Sequence, residues 1–388
     1  MAPTRVGFIG LSKSGWAPRA HLPYLKSSPD YEIVAICNSS VESAREAIKL
    51  YELPSSVKAY ANPEGKSRPH VILSISNSIK LTNTSDIAND KDVDLVVCSV
   101  RVDRHLPTIS PSLRAGKDVL VEWPLGKNLA EAEELLALKN VGGVKNAVVD
   151  LQARQAPIVR KAKELIEQGK IGSVLSSTWT GAAGTFGAGY GKSYEYLGRR
   201  EVGGNMVTIH FGHAVDYVQY VLGYGFNEHG AKSVVANRRP ILKLLEDDGK
   251  TVIEEKHVKT SDDTIFLTGT LSSGIPLSFS LRGDKAFKNT PGLDWRIYGS
   301  TGEIRITASG PFLQIGYPDL KLEVYDFESD VLEEVEVGDD LEEVEGPAKN
   351  VGRVYRGVGE GENNCTFEDA VERHRLIAGM YRENGIEN

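Results

Sequence analysis

The sequence predicts an α/β chain in two parts: an N-terminal doubly wound parallel sheet over residues 1–150, and a C-terminal α+β part over 151–388 with a large, mostly antiparallel open sheet. Three observations predict it. Short apolar runs at 6–9, 32–37, 94–100, 118–122 and 147–151 are nearly continuous in Val, Ile and Leu, as parallel strands covered on both faces are. Amphipathic stretches alternate with them: Val41, Ala44 and Ile48 share one helical face, as do Leu106, Ile109 and Leu113, then Leu129, Ala132 and Leu136. Past Asp150 the pattern changes to strands at hairpin spacing with few helices.

The first strand runs into Arg5-Val-Gly-Phe-Ile-Gly10-Leu-Ser12-Lys-Ser-Gly15-Trp16, and residues 17–25 can continue as a helix. Gly10 allows a sharp turn and Gly15 a close approach of helix to strand, so the turn reads as the pyrophosphate cradle of a Rossmann-type domain. Ser12 stands where the middle glycine of such a turn is expected, and Trp16 closes it. At the end of the second strand an NAD binder usually offers a carboxylate to the ribose. Here the chain offers Asn38, Ser39 and Ser40, with Arg45 in the following helix, so the cofactor is NAD or NADP.

Residues 60–92 read as a surface excursion, with 70–75 able to add a small strand. A helix over 157–168 is stopped by Gly169 and Gly172. Strand runs follow at 174–181, 233–237, 251–256, 264–271, 275–282, 293–299, 303–307 and 320–326. The acidic stretch 330–345 reads as an exposed, solvated edge, and a helix over 367–382 closes the chain. The glycine-rich stretch 181–205, with Tyr190 among its aromatics, is either a substrate lid or an ordinary surface loop.

A net charge of −8 and a pI near 5.6 argue against a general phosphate-backbone binder, so nucleic acid is not an expected direct partner. No apolar run approaches the roughly 20 residues that span a bilayer, and no signal segment opens the chain; a cytoplasmic protein is expected, with a nuclear place if it is regulatory. Cys37, Cys98 and Cys365 are too few and scattered for a disulfide framework or a zinc ribbon.

Four stretches resemble the Gfo/Idh/MocA oxidoreductases: the opening turn; Arg101-Val-Asp-Arg-His105 with Ala115-Gly-Lys-Asp-Val-Leu-Val-Glu-Trp-Pro124; Gln152-Ala-Arg154 leading into 162–172; and Gly203-Gly-Asn-Met-Val-Thr-Ile-His-Phe-Gly-His-Ala-Val-Asp216. The resemblance implies a nicotinamide cofactor near the domain junction, sugar or cyclitol substrates, and a homodimer through the C-terminal sheet. It also places Val100, Arg101, His105, Glu122, Trp123 and Pro124 beside the cofactor, and Arg154 near cofactor and substrate. Two departures stand out. Trp123 replaces the motif's catalytic lysine and cannot transfer a proton, and Ile209 replaces an aspartate four residues before the motif histidine, His213. Trp123, Val102, Phe211-Gly-His213 and the ending Phe367-Glu-Asp-Ala370 are more similar to a fungal branch that includes a galactose-regulon repressor of yeasts.

The chemistry therefore rests on histidine. His213 is the first candidate to take the hydroxyl proton, because histidine titrates near neutral pH, and His210 lies three residues earlier on the same face if the segment is helical. Trp123 is a hydrophobic plug or a stacking wall for a sugar or base, and Asp216 an orienting or structural partner. A metal is not expected, since the histidines have no third ligand. Two readings result: an NAD(P)-dependent oxidoreductase acting on a secondary hydroxyl or ketone of a sugar or a sugar-bearing metabolite such as a nucleoside, or a catalytically inactive dinucleotide-binding regulator with a protein partner.

Overall fold

The computed structural model describes residues 2–13, 15–61, 85–359 and 363–387. Six strands, β1 (Thr4–Ile9), β2 (Tyr31–Asn38), β3 (Lys58–Ala61), β4 (Leu95–Cys98), β5 (Asp118–Glu122) and β6 (Ala147–Asp150), pair in parallel in the order β6-β5-β4-β1-β2-β3. Their side chains are buried almost throughout, which is why these runs lack alternation. Between them lie α1 (Ala17–Ala20), α2 (Leu22–Ser27), α3 (Val41–Leu50), α4 (Ser85–Asn89), α5 (His105–Arg114) and α6 (Leu129–Gly142). The strand order reverses between β1 and β4, so the ligand crevice of such a sheet opens at their carboxyl ends.

The helix expected over 17–25 is instead split at His21 into α1 and α2, each with a proline in its first turn. Pro23 has no N–H to donate into a continuous ladder, and the break turns His21 inward. The expected strand at 70–75 lies outside the described residues.

The C-terminal part opens with α7 (Pro157–Glu167), β7 (Val174–Ala182) and β8 (Gly189–Gly191). A π-helical turn (Met206–Phe211) leads into α8 (Gly212–Leu222), followed by β9 (Phe226–Ala236), β10 (Ile241–Leu245), β11 (Val252–Val258), β12 (Thr264–Leu271), β13 (Pro276–Arg282), β14 (Leu293–Gly299), β15 (Gly302–Ala308), β16 (Lys321–Asp326) and β17 (Val331–Glu334). Eight strands form one sheet in the order β17-β16-β15-β14-β7-β13-β12-β9, antiparallel except for the β7–β13 pair. Its strands alternate buried and exposed residues, so one face packs on the core and the other stays open. A small sheet, β11-β10-β8, sits beside it.

The chain then returns to the parallel sheet. α9 (Pro347–Arg356) packs Val351, Val354 and Tyr355 into the same core as β1, β2, α1 and α2; β18 (Cys365–Thr366) pairs antiparallel with β6; and α10 (Phe367–Glu383) lies against α6. The acidic run 330–345 is only in part a solvated edge. β17 is exposed along its length, but Leu341 and Val344 are buried, and Asp339 and Asp340 pair with the buried Arg353 of α9. Among the described residues no helix is long and apolar enough to cross a membrane.

Candidate functional site

The opening turn has a geometry only glycine accepts. Gly10 has φ +97°, and a Cβ there would meet the Ser99 carbonyl oxygen at 2.4 Å, so the turn lies flat against the end of β4. Gly15, at φ +117°, has only the Ser12 hydroxyl oxygen within 4 Å of where its Cβ would be, at 3.8 Å, leaving room in front of it. Asn38, buried at the end of β2, donates from Nδ2 to the Leu11 carbonyl (2.7 Å) and the Ser43 carbonyl (3.2 Å), tying the turn to the neighbouring strand. Ser40 caps α3 by accepting from the Ser43 N–H, while Ser39 and Arg45 are exposed. Trp16 flanks the turn with Arg19 over its ring. At the end of β6, Gln152 is fully buried and neither end of its amide has a protein partner; the Asn38 side-chain amide oxygen, Oδ1, is also unpartnered. Buried polar groups are normally hydrogen-bonded, so these orphans at the carboxyl edge of the sheet fit a polar ligand such as a dinucleotide.

Glu122, at the end of β5, turns inward. His21 Nε2 lies 2.5 Å from its Oε1 and 3.8 Å from Asp150 Oδ2, and His21 Nδ1 lies 2.9 Å from the Tyr355 hydroxyl of α9. Burial pushes Glu122 up to about 8, raises Asp150 well above the carboxylate range, and pushes His21 down to about 4. His21, Glu122 and Asp150 form the one group of potential metal ligands among the described residues. The His21–Glu122 separation is a hydrogen bond, shorter than the roughly 3.3 Å edge expected between ligands of a tetrahedral zinc. His21 and Glu122 share a short hydrogen bond, with the buried Asp150 carboxyl beside them.

The next residues shape the junction. The Trp123–Pro124 peptide is cis. Trp123 is buried, donates its indole N–H to the Thr208 carbonyl (2.8 Å), and packs against the His374 ring of α10 at 4.8 Å. A Cβ on Gly212 would sit 2.6 Å from the indole nitrogen, so this glycine is what admits Trp123. His105 holds both ring nitrogens near backbone carbonyls, Val100 at 3.0 Å and Leu125 at 3.3 Å, which clamps the segment beneath the junction. Arg101 is exposed and paired with Asp103.

Asn205 sets the helix that carries the two histidines. Its Oδ1 accepts from the Val207 and Thr208 N–H groups, while the Thr208 hydroxyl returns to the Asn205 N–H, a capping box. His210 ends the π-helical turn and His213 begins α8. Burial pushes His210 to about 4 and His213 to about 3, the latter opposed in part by Asp216, so both are neutral at physiological pH. Nδ1 of each is buried without a protein partner. Phe186 stands edge-on to the His210 ring at 5.9 Å and Phe312 lies against it at 4.7 Å.

Arg154 and Asp216 are fully engaged with each other and their neighbours. Arg154 donates through Nε and Nη2 to both Asp216 oxygens (2.8 Å each) and through Nη1 to Asp369 (2.9 Å); Arg373 adds a further bond to Asp216 at 3.2 Å. Tyr190 lies in β8, its ring packed with Leu242 and Leu244 and edge-on to His257. Arg199 pairs with Glu195 and Arg200 with Asp262, so the two arginines of the 181–205 stretch are held within the C-terminal part of the chain. His21, Asp150, Phe186 and Phe312 were not singled out by sequence; Gln152 and His374 stood within stretches that carry the resemblance, Gln152-Ala-Arg154 and His374-Arg-Leu-Ile377, without a role of their own.

Residues 4–149 match the model of an oxidoreductase family with an NAD-binding Rossmann fold, and residues 157–308 match the C-terminal domain of Gal80p. The galactose/lactose metabolism regulatory protein GAL80 of Kluyveromyces lactis is 30% identical over 324 residues, 81% of this chain and 65% of that protein. The dehydrogenase aclE of Aspergillus oryzae is 29% identical over 389 residues, 97% of this chain and 95% of that one. The crystal structure of a super-repressor mutant of Gal80p from Saccharomyces cerevisiae superposes with a TM-score of 0.82 at 26% identity, covering 99% of this chain and 96% of that chain.

Proposed function

This chain belongs to the Gfo/Idh/MocA oxidoreductase family, on a branch resembling the Gal80 proteins, and from that premise we propose that it is an NAD(P)-dependent oxidoreductase of a secondary hydroxyl or ketone on a sugar-like ring. The observation that carries the reading is the His210/His213 pair: two neutral imidazoles on consecutive turns, each with an Nδ1 that no protein group engages. A bound nicotinamide supplies the hydride acceptor, or the donor in reverse. As the carbinol C–H bond breaks, the hydroxyl proton passes to an imidazole nitrogen and the C=O bond forms; reduction runs the same transfers backwards. Gly10, Ser12, Gly15 and Trp16 cradle the dinucleotide, Asn38 to Ser40 and Arg45 border its ribose, and Val100, Arg101, Trp123 and Pro124 line its nicotinamide end. With Asn38 in the place of the usual carboxylate, the nucleotide is NAD or NADP. The open face of the eight-stranded sheet, with exposed Val234, Phe266 and Tyr298, serves a homodimer.

A second reading, a dinucleotide-binding regulator, is favoured by one feature: Trp123 fills the lysine's place and its only donor is engaged by Thr208. Adding NAD and NADP separately to a panel of cyclic alcohols, sugars and nucleosides, while following reduced-nicotinamide absorbance, separates the two. Turnover supports the oxidoreductase. Tight nucleotide binding with no turnover on any member supports the regulator.

A further inference from the structure

Glu122 and Asp150 are paired in register at the carboxyl ends of the adjacent parallel strands β5 and β6. Neighbours of that kind point their side chains to the same face of the sheet, so the register sets two carboxyls side by side. Asp150 is wholly buried, and Glu122 keeps 12% of its side chain exposed. One oxygen of each carboxyl and a ring nitrogen of His21 lie within 4.8 Å of one another, and neither Asp150 oxygen has a hydrogen-bond partner. The other titratable groups around the pair are the Tyr355 hydroxyl on His21, with Tyr24 and Tyr31 against its ring, and the Cys98 thiol of β4. Phenols and a thiol are neutral near pH 7. Among the described residues no lysine or arginine acts on either carboxyl. Two buried acids this close, with no cation to offset them, hold on to their protons.

The pair lies in the half of the sheet that takes a nicotinamide. A dinucleotide with its pyrophosphate at the turn after β1 sends its adenosine over β2 and β3 and its other half over β4, β5 and β6. The turn also reaches the pair directly, because the Trp16 indole favours the charged form of Glu122. Of the three clustered residues only Glu122 has exposed surface, so it is the one that meets the crevice. The oxidised nicotinamide ring carries one positive charge and the reduced ring none. A cation beside buried acids draws a proton off them, and a neutral ring does not.

We infer that the Glu122–Asp150 pair, with His21, makes nucleotide binding selective for redox state: the oxidised nucleotide expels a proton from the cluster as it binds, and the reduced nucleotide leaves the cluster protonated. Burial raises both carboxyls, Glu122 to about 8, so the proton is present at neutral pH. The inference rests on the dinucleotide site of the proposed function, which the oxidoreductase and the regulator share, and needs no turnover.

The test is titration calorimetry of the full chain with oxidised and reduced NAD, and with oxidised and reduced NADP, in two buffers of different ionisation enthalpy, which counts the protons released. At pH 7 about 0.5–1 proton is expected per oxidised nucleotide bound and under about 0.2 per reduced one. From pH 6 to 8 the affinity for the oxidised form should tighten by up to about tenfold per pH unit, while that for the reduced form stays flat. Glu122→Gln and the double variant Glu122→Gln/Asp150→Asn are close in shape to the protonated acids. The first should at least halve the release, and the second should abolish it together with the pH dependence. Equal release with both redox forms, no release with either, or release unmoved in the folded double variant overturns the inference and leaves the dinucleotide site standing. The wild-type comparison of the two redox forms decides the matter even if the double variant does not fold. Failure of every nucleotide to bind removes the inference and the proposed site together.

Discussion

At the carboxyl edge of the parallel sheet, the Asn38 side-chain amide oxygen and both ends of the Gln152 amide are buried without protein partners, whereas at the domain junction Arg154 and Asp216 engage each other and the Trp123 indole N–H engages the backbone. Both regions carry motif residues. The first leaves buried polar atoms that no protein group engages; in the second the motif carboxylate and guanidinium engage each other, while Nδ1 of both histidines, Gln219 Nε2 and Arg373 Nε have no protein partner. Matching a family motif therefore did not settle whether a residue meets substrate: Arg154 and Asp216 stand at matched positions, yet their hydrogen-bonding groups face each other.

The widest break in this comparison comes from Asp216→Asn. It leaves the guanidinium groups of Arg154 and Arg373 buried without their carboxylate, and a loss of about 3–5 kcal/mol of stability is expected in denaturant unfolding. A loss under about 1 kcal/mol would mean the junction is not the structural ion cluster described. Gly10→Ala attacks the other region. Its Cβ cannot coexist with the Ser99 carbonyl at 2.4 Å, so about 2–4 kcal/mol of stability and most nucleotide affinity should be lost, read by thermal melts with and without NAD.

The pH dependence of stability sharpens the contrast from both sides. His210 and His374 fold with pKa values pushed down to about 4 and about 3, so their contribution is complete above 6.5 and is lost as pH falls from 6.5 toward those values. Glu122 is raised to about 8, so its contribution is complete below 4.5 and is lost as pH rises from 4.5 through 8. Each titrating group adds a slope of up to about 1.4 kcal/mol per pH unit; the arms overlap from 4.5 to 6.5, where two imidazoles outweigh one carboxyl, so stability should peak near 6.5. Glu122→Gln should flatten the alkaline arm alone; an unchanged arm would remove the buried cluster from that role. The smallest effect is expected for Trp123→Phe, which loses the bond to Thr208 for about 1 kcal/mol and leaves nucleotide affinity unchanged. A large drop in affinity would show that the nicotinamide end needs the full indole and not only an aromatic ring.

The parallel sheet was legible because its strands are buried on both faces and read as uninterrupted Val, Ile and Leu, and the eight-stranded sheet because its alternation is regular. β3, β8, β10, β17 and β18 escaped notice, being two to five residues long and carrying little pattern. α9 was hidden for another reason. Pro347-Ala-Lys-Asn-Val-Gly-Arg-Val-Tyr-Arg356 reads as polar, and its helix is held by burial of Val351, Val354 and Tyr355 together with the Arg353 ion pairs, partners that only the folded chain supplies. The same holds at the site. His210 and His213 could be named from a motif, but the two phenylalanine rings against His210 come from residues 24 positions before and 102 after it, a juxtaposition that no local pattern encodes.

The central claim is that His210 and His213 move the substrate proton. The direct measurement is the pH profile of kcat/KM for alcohol oxidation in wild type, His210→Ala and His213→Ala, with nucleotide affinity followed in parallel. Because both imidazoles have lowered pKa values, the wild-type rate should hold as pH falls through 6.5 and decline only toward about 4, and at least one substitution should lower kcat about 100-fold at unchanged nucleotide affinity. A rate untouched by either substitution, or an acid limb at 6.5 that survives both, would contradict it.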